Sequence, residues 1–186
     1  MKISILLPYK ENFSPSYAGA VSLFINDTLR ISKYKNNTTV FGNTEYRNKF
    51  KLKYVNIPLK RIFFQSQNKK YVEEFARLEL KRNSDLIELH NRPIYLTYLT
   101  NKLKNKTYIL YFHNDPLTMS GSKNISERIF LLKNCFKIIF NSNWSKRRFL
   151  EGMKSDYINS EKLVVINQSA KKNKINLKKK KKLSHL

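Results

Sequence analysis

Cysteine, glycine and acidic residues are all scarce in this sequence. The single cysteine, Cys135, rules out an internal disulfide and fits a reducing compartment such as the cytoplasm. Only four glycines are present, and they form neither a GxGxxG fingerprint nor a GxxxxGK loop, which argues against dinucleotide and P-loop nucleotide sites. There is no HExxH and no CxxC, so no metal-ligand spacing stands out and no metal is expected. No apolar run approaches the roughly 18 residues that span a bilayer. The apolar N-terminal stretch breaks at Pro8 with no small-residue cleavage site in reach, so it is expected to be a first strand rather than a signal peptide.

What is abundant is positive charge. Lys and Arg number 37 against 13 acids, for a net charge of +24. Such an excess invites a nucleic-acid partner. Eight lysines and no acid fall in 171–186, so a third of that net charge sits in the tail. The cations are 28 Lys and only 9 Arg, beside 21 Asn and 16 Ile, a set that AT-rich codons favour. Direct readers of bases prefer Arg, whose planar fork matches base edges and phosphates. Outside the tail, Lys146-Arg147-Arg148 is the tightest cluster; elsewhere the charges are spread along the chain. No specific nucleic acid is therefore expected. The charge should still draw the chain toward anionic membrane surfaces and phosphate-bearing ligands.

The hydrophobic pattern alternates between two periods. Lys2 to Pro8 suits a strand buried on both faces. Val21, Phe24, Ile25, Thr28 and Leu29 then recur at helical spacing, predicting a helix from Ala18 to about Tyr34. Strands are expected at Thr38 to Gly42, Lys51 to Ile57, Asp85 to Leu89, Thr107 to Phe112, Phe136 to Phe140 and Lys162 to Ile166. Helices are expected at Gln67 to Arg82, with Val72, Phe75, Ala76 and Leu80 on one face, after Pro93, around Ile125 to Leu132, and from Asn143 to Met153. This order predicts an α/β, Rossmann-like, doubly wound and mostly parallel sheet with helices on both faces. Residues 1–169 form that domain; 170–186 read as a basic linker and tail, expected to be disordered.

In such a sheet, ligands bind beyond the carboxyl ends of the strands. The residues there are Pro8 to Ala20, His90-Asn91-Arg92, His113-Asn114-Asp115 and Asn141-Ser142-Asn143. Ala18-Gly19-Ala20 opens the first helix, where small residues let a ligand phosphate approach free N–H groups, or merely satisfy a tight loop. His113 can donate to a phosphate or sugar oxygen or act in acid–base chemistry; alternatively it caps its strand. His90 has the same placement and the same two readings. Asp115 could orient a substrate hydroxyl, although Asp before Pro also forms turns. Ser142 is expected to cap the following helix, and Trp144 and Phe149 to be packing residues.

At these positions the chain resembles the N-terminal domain of glycosyltransferase family 4, retaining enzymes of GT-B architecture. The matching stretches are MKISILLP with YAGAVSLFINDTLR, then DLIELHNRP, ILYFHNDP and KIIFNSNWSKRRFLEGM, together spanning residues 1 to about 168. The resemblance implies transfer of a hexosyl group from a nucleotide sugar to a glycan or lipid-linked acceptor in cell-envelope polysaccharide biosynthesis. It implies no bound metal or other cofactor; a cytoplasmic location, peripheral at the inner face of the membrane, is the expectation from the single cysteine and the positive charge. By position, Gly19 with Ala18 and Ala20 matches the loop near the donor phosphates. His113 matches the catalytic-site histidine near the transferred sugar. His90, Asn91, Arg92, Asn114 and Asp115 fall on the acceptor side.

In that family an Arg and a Lys on a second domain neutralise the leaving diphosphate, and a pair of Glu holds the nucleotide sugar. No segment here matches them. The Lys178 to Lys182 run stands where that domain's first strand is expected. The expectation is an acceptor-side half without its donor-binding domain, inactive alone, from a truncated or misread longer gene. Two other functions remain open: a basic nucleic-acid-binding protein, and a stand-alone Rossmann-like module that binds a sugar or nucleotide.

Overall fold

A computed structural model describes residues 1–59 and 66–168. The expected basic tail lies outside the described residues. Within them, seven strands form one parallel sheet: β1 (Ile3–Leu6), β2 (Thr38–Gly42), β3 (Tyr54–Asn56), β4 (Leu86–His90), β5 (Thr107–Phe112), β6 (Lys137–Phe140) and β7 (Leu163–Val165). Their order across the sheet is β3-β2-β1-β4-β5-β6-β7, and every pair is parallel. The order reverses between β1 and β4, which makes the end of that pair the switch point where such sheets hold ligands.

The central strands are short and mostly buried because both of their faces are covered, whereas the edge strands β3 and β7 are only partly buried. All four residues of β1 and all five of β2 are buried. On one face Ile3, Ile5 and Val40 pack with Val21, Ile25 and Leu29 of helix α1 (Ala20–Ile31). On the other face Leu6, Phe41, Ile87, Leu89, Leu110, Phe112, Ile138 and Phe140 pack against four helices. These are α2 (Gln67–Arg82), α3 (Ile94–Lys102), α4 (Ile125–Asn134) and α5 (Asn143–Leu150). Right-handed crossovers account for this division. The connection from β1 to β2 runs one way along the sheet, and those from β3 onward run the other.

Several particulars differ from the sequence pattern. The stripe on α2 is Tyr71, Val72, Phe75, Ala76 and Glu79, and Leu80 is 63% exposed. Glu79 is wholly buried because three donors satisfy it: Ser4 Oγ at 2.6 Å, Ser84 N at 2.7 Å and Ser84 Oγ. Trp144 is exposed rather than packed, because the buried face of α5 is Ser145 and Phe149, one step around the helix. That helix ends at Leu150, and a single further turn, α6 (Ser155–Ile158), follows. No helix joins β2 to β3; an irregular segment makes that parallel crossover.

One glycine has a firm structural requirement. Gly121 has φ of +92°, and a Cβ there would collide with the backbone of Ile94 at the start of α3. The peptide N–H of Ile94 donates to Ser120 O at 3.1 Å in the same contact.

Candidate functional site

A crevice of about 210 Å³ opens at the switch point. Pro8 and Glu11, after β1, form one side with Ala20 and Val21 of α1. Asn91 and Arg92, after β4, and His113 and Asn114, after β5, form the other. A larger hollow of about 590 Å³ lies between α1 and segment 48–51, lined in part by Arg30, Lys35, Lys49 and Lys51. Its lysines precede strands β2 and β3 rather than follow them, so it is remote from the place where this topology gathers ligand-binding groups.

His113 is held from both sides. Asn91 Oδ1 accepts its backbone N–H at 2.7 Å, and Asn141 Nδ2 donates to its carbonyl at 2.7 Å. Asn91 takes a left-handed conformation, φ 51°, which aims its short side chain back across the strand ends. Its own N–H donates to Tyr111 O at 2.9 Å. Arg92 Nη1 donates to Asn91 O at 2.8 Å.

The His113 ring stands on the α1 face of the sheet, edge-on to Phe24 at 5.0 Å between centroids. Beside it lies His90, whose Nδ1 is 2.8 Å from His113 Nε2 and whose Nε2 is 2.7 Å from Glu88 Oε1. Tyr111 stacks on His90 with centroids 4.9 Å apart. Gln168 Nε2 contacts His113 Nδ1. Burial, and then the neighbouring His90, lower the His113 pKa to about 3, so its imidazole is neutral at physiological pH. Burial, with Glu88 nearby, also raises the Tyr111 hydroxyl well above its usual range.

The first loop makes an internal contact at the start of α1. Glu11 accepts the N–H of Ser22 at 3.0 Å, and a Cβ at Gly19 would collide with its carboxylate. Gly19 is the N-cap of α1 and makes no side-chain cap. An internal anion therefore occupies the helix N-terminus where a phosphate was expected.

Five of the sequence-predicted residues thus line one crevice: Ala20, Asn91, Arg92, His113 and Asn114. His90 is buried behind His113, at 1% exposure, and does not line the crevice. Asp115 accepts from Leu117 N at 3.0 Å and pairs with Arg148 at 3.2 Å, so both of its oxygens are engaged. Ser142 Oγ accepts the N–H of Ser145 at 3.2 Å, which caps α5. Ala18 and Gly19 stand beside Glu11 on the first loop. Glu88, Glu11 and Gln168 escaped the sequence pattern. For Glu88 a signal existed: it stands two residues before His90 on a strand, and the period of two puts both on one face. Cys135 is buried, and burial pushes its thiol up to about 12, as for an inert core residue. Among the described residues no three His, Cys, Asp or Glu side chains gather to hold a metal ion, and no helix is long and apolar enough to cross a membrane.

Sheet order and crevice together define the class of fold: a Rossmann-like sheet of the kind found in GT-B glycosyltransferases. A structure of Anabaena Alr3699/HepE in complex with UDP and glucose matches with a TM-score of 0.61 at 17% identity, over 91% of this chain and 45% of that one. A glycosyltransferase from Rickettsia africae matches with a TM-score of 0.57 at 18% identity, over 90% and 43%. A UDP-N-acetylglucosamine 2-epimerase from Rickettsia bellii matches with a TM-score of 0.52 at 9% identity, over 89% and 44%. This chain spans less than half the length of each. No protein-family model and no curated protein sequence matches it.

Proposed function

We propose that this chain is the acceptor-side half of a family 4-type glycosyltransferase. It would position a glycan or lipid-linked sugar for hexosyl transfer from a nucleotide sugar, in cell-envelope polysaccharide synthesis at the inner face of the membrane. The observation that carries the proposal is the crevice at the switch point. There Asn91, Arg92, His113 and Asn114 line one wall, beside a neutral imidazole suited to hydroxyl groups. HepE, bound to UDP and glucose, has the same sheet and supports the nucleotide-sugar assignment. The epimerase shares the sheet too, so sugar transfer rests on the crevice and on the motifs at the strand ends.

In this scheme the two domains divide the work. This half holds the acceptor, and the diphosphate is stabilised by cationic groups on a partner half. No cofactor or metal takes part.

The test is a titration of the ¹⁵N-labelled chain with oligosaccharide acceptors, with UDP-glucose and with RNA, at several salt concentrations. Acceptor-induced shifts grouped at Asn91, Arg92, His113 and Asn114 are the expected result. Tight RNA binding with a steep salt slope, and no acceptor response, would replace this proposal with a nucleic-acid role.

A further inference from the structure

Four side chains on the α1 face of the sheet form an unbroken file: Glu88, His90, His113 and Gln168. Glu88 and His90 share a face of β4, and His90 lies in register with Tyr111, two residues before His113. The His90 side chain has no exposed surface. Both of its ring nitrogens are therefore committed to protein partners, at 2.7 and 2.8 Å.

Donor and acceptor chemistry gives the file a direction. An ionised carboxylate only accepts, so the His90 nitrogen facing Glu88 carries the proton. With His90 neutral, its one N–H faces Glu88 and its other ring nitrogen, Nδ1, is an acceptor. His113 Nε2 faces it and must donate. That leaves His113 Nδ1 with a lone pair. At the far end an amide nitrogen, which only donates, meets that lone pair. With His90 neutral and the Gln168 amide turned with its nitrogen toward the ring, the two ends of the file agree on one tautomer.

We infer that Glu88 and His90 are positioning residues that lock His113 as its Nε2–H tautomer, so that His113 meets a ligand through Nδ1 as a hydrogen-bond acceptor. This deepens the proposed function and rests on His113 facing the sugar. It specifies what the imidazole recognises. A sugar hydroxyl can donate to Nδ1 in place of the Gln168 amide, whereas the unprotonated oxygen of a phosphodiester, itself an acceptor, cannot. Burial keeps the ring neutral at physiological pH, so no cationic N–H is available to attract phosphate there.

The tautomer is read directly from ¹⁵N chemical shifts and ¹H–¹⁵N couplings of the histidine rings in the full chain. The expected wild-type pattern has a protonated Nε2 and a bare Nδ1 at His113. A protonated Nδ1 there overturns the inference. Glu88→Gln keeps an accepting oxygen for His90 and should preserve the pattern. Glu88→Leu should release His113 into a mixture of both tautomers, and an unchanged ring in a folded Glu88→Leu variant also overturns it. Dimethyl phosphate, a phosphodiester with no P–OH at neutral pH, should leave the His113 signals in place; a move to the imidazolium position would count against acceptor-only recognition. None of these measurements needs sugar transfer, so a failed acceptor titration and a failed tautomer lock are separate results.

Discussion

The carboxylate of Glu11 accepts the backbone N–H of Ser22 at 3.0 Å, closing the N-terminus of α1 with a negative charge from the preceding loop. Helix N-termini attract anions through their free N–H groups and aligned peptide dipoles. At the phosphate sites of P-loop and dinucleotide-binding sheets the anion comes from a ligand. Here it comes from the chain, next to the glycine that the sequence pattern associates with donor phosphates.

Neutralising that charge should therefore open the site. Glu11→Gln is expected to strengthen UDP binding by about tenfold, equivalent to about 1.4 kcal/mol. The lost charge–dipole attraction should lower thermal stability by about 0.3–1 kcal/mol. Calorimetric titration with UDP and a thermal melt measure the two effects. Unchanged UDP binding would mean that Glu11 caps the helix without obstructing phosphate.

Acid should destabilise the fold through His113. Unfolded, this residue takes a proton near its ordinary 6.5; folded, it resists protonation down to about 3. Between those values the unfolded state holds more protons, so stability falls as pH drops from about 6.5. The slope from this group is at most about 1.4 kcal/mol per pH unit. His113→Asn should flatten the wild-type curve over that window. Urea melts at stepped pH give the difference, and equal slopes for the two proteins would refute the assignment.

Glu79 ties α2 to the starts of β1 and β4. Its truncation leaves the Ser4 hydroxyl and the Ser84 N–H buried without their acceptor. At about 1–3 kcal/mol for each stranded group, Glu79→Ala should cost about 2–6 kcal/mol in a denaturant melt. Glu79→Gln, which keeps one carbonyl oxygen, should cost less.

Gly121 faces the first turn of α3 with a positive φ. Gly121→Ala should destabilise by about 1–3 kcal/mol, from backbone strain and the collision with Ile94. A neighbouring exposed control, Lys123→Ala, should stay within about 0.5 kcal/mol of wild type.

Much of the fold was legible because periods of two and 3.6 alternate cleanly along the chain. Thr38–Gly42, Gln67–Arg82 and Thr107–Phe112 stand where the pattern puts them. The departures have physical causes. Leu80 looked like a core residue because apolar spacing cannot register that Glu79 is satisfied by three donors. Trp144 looked buried because aromatics usually are, yet Ser145 and Phe149 set the inward face of α5. The crevice was half legible. Strand-end position identified Asn91, Arg92, His113 and Asn114. The same rule could not show that Asp115 pairs with Arg148, or that Glu11 folds back onto α1. Those contacts join segments whose separation is set by tertiary packing.

The sheet order also bears on synthesis. Ile3 of β1 pairs with Leu86 of β4, so β1 needs a neighbour that is translated 83 residues later. At about 5–20 residues per second, that strand waits on the order of 4–17 s with one edge open. An apolar strand with an open edge is a liability for pairing with other polypeptides during that interval.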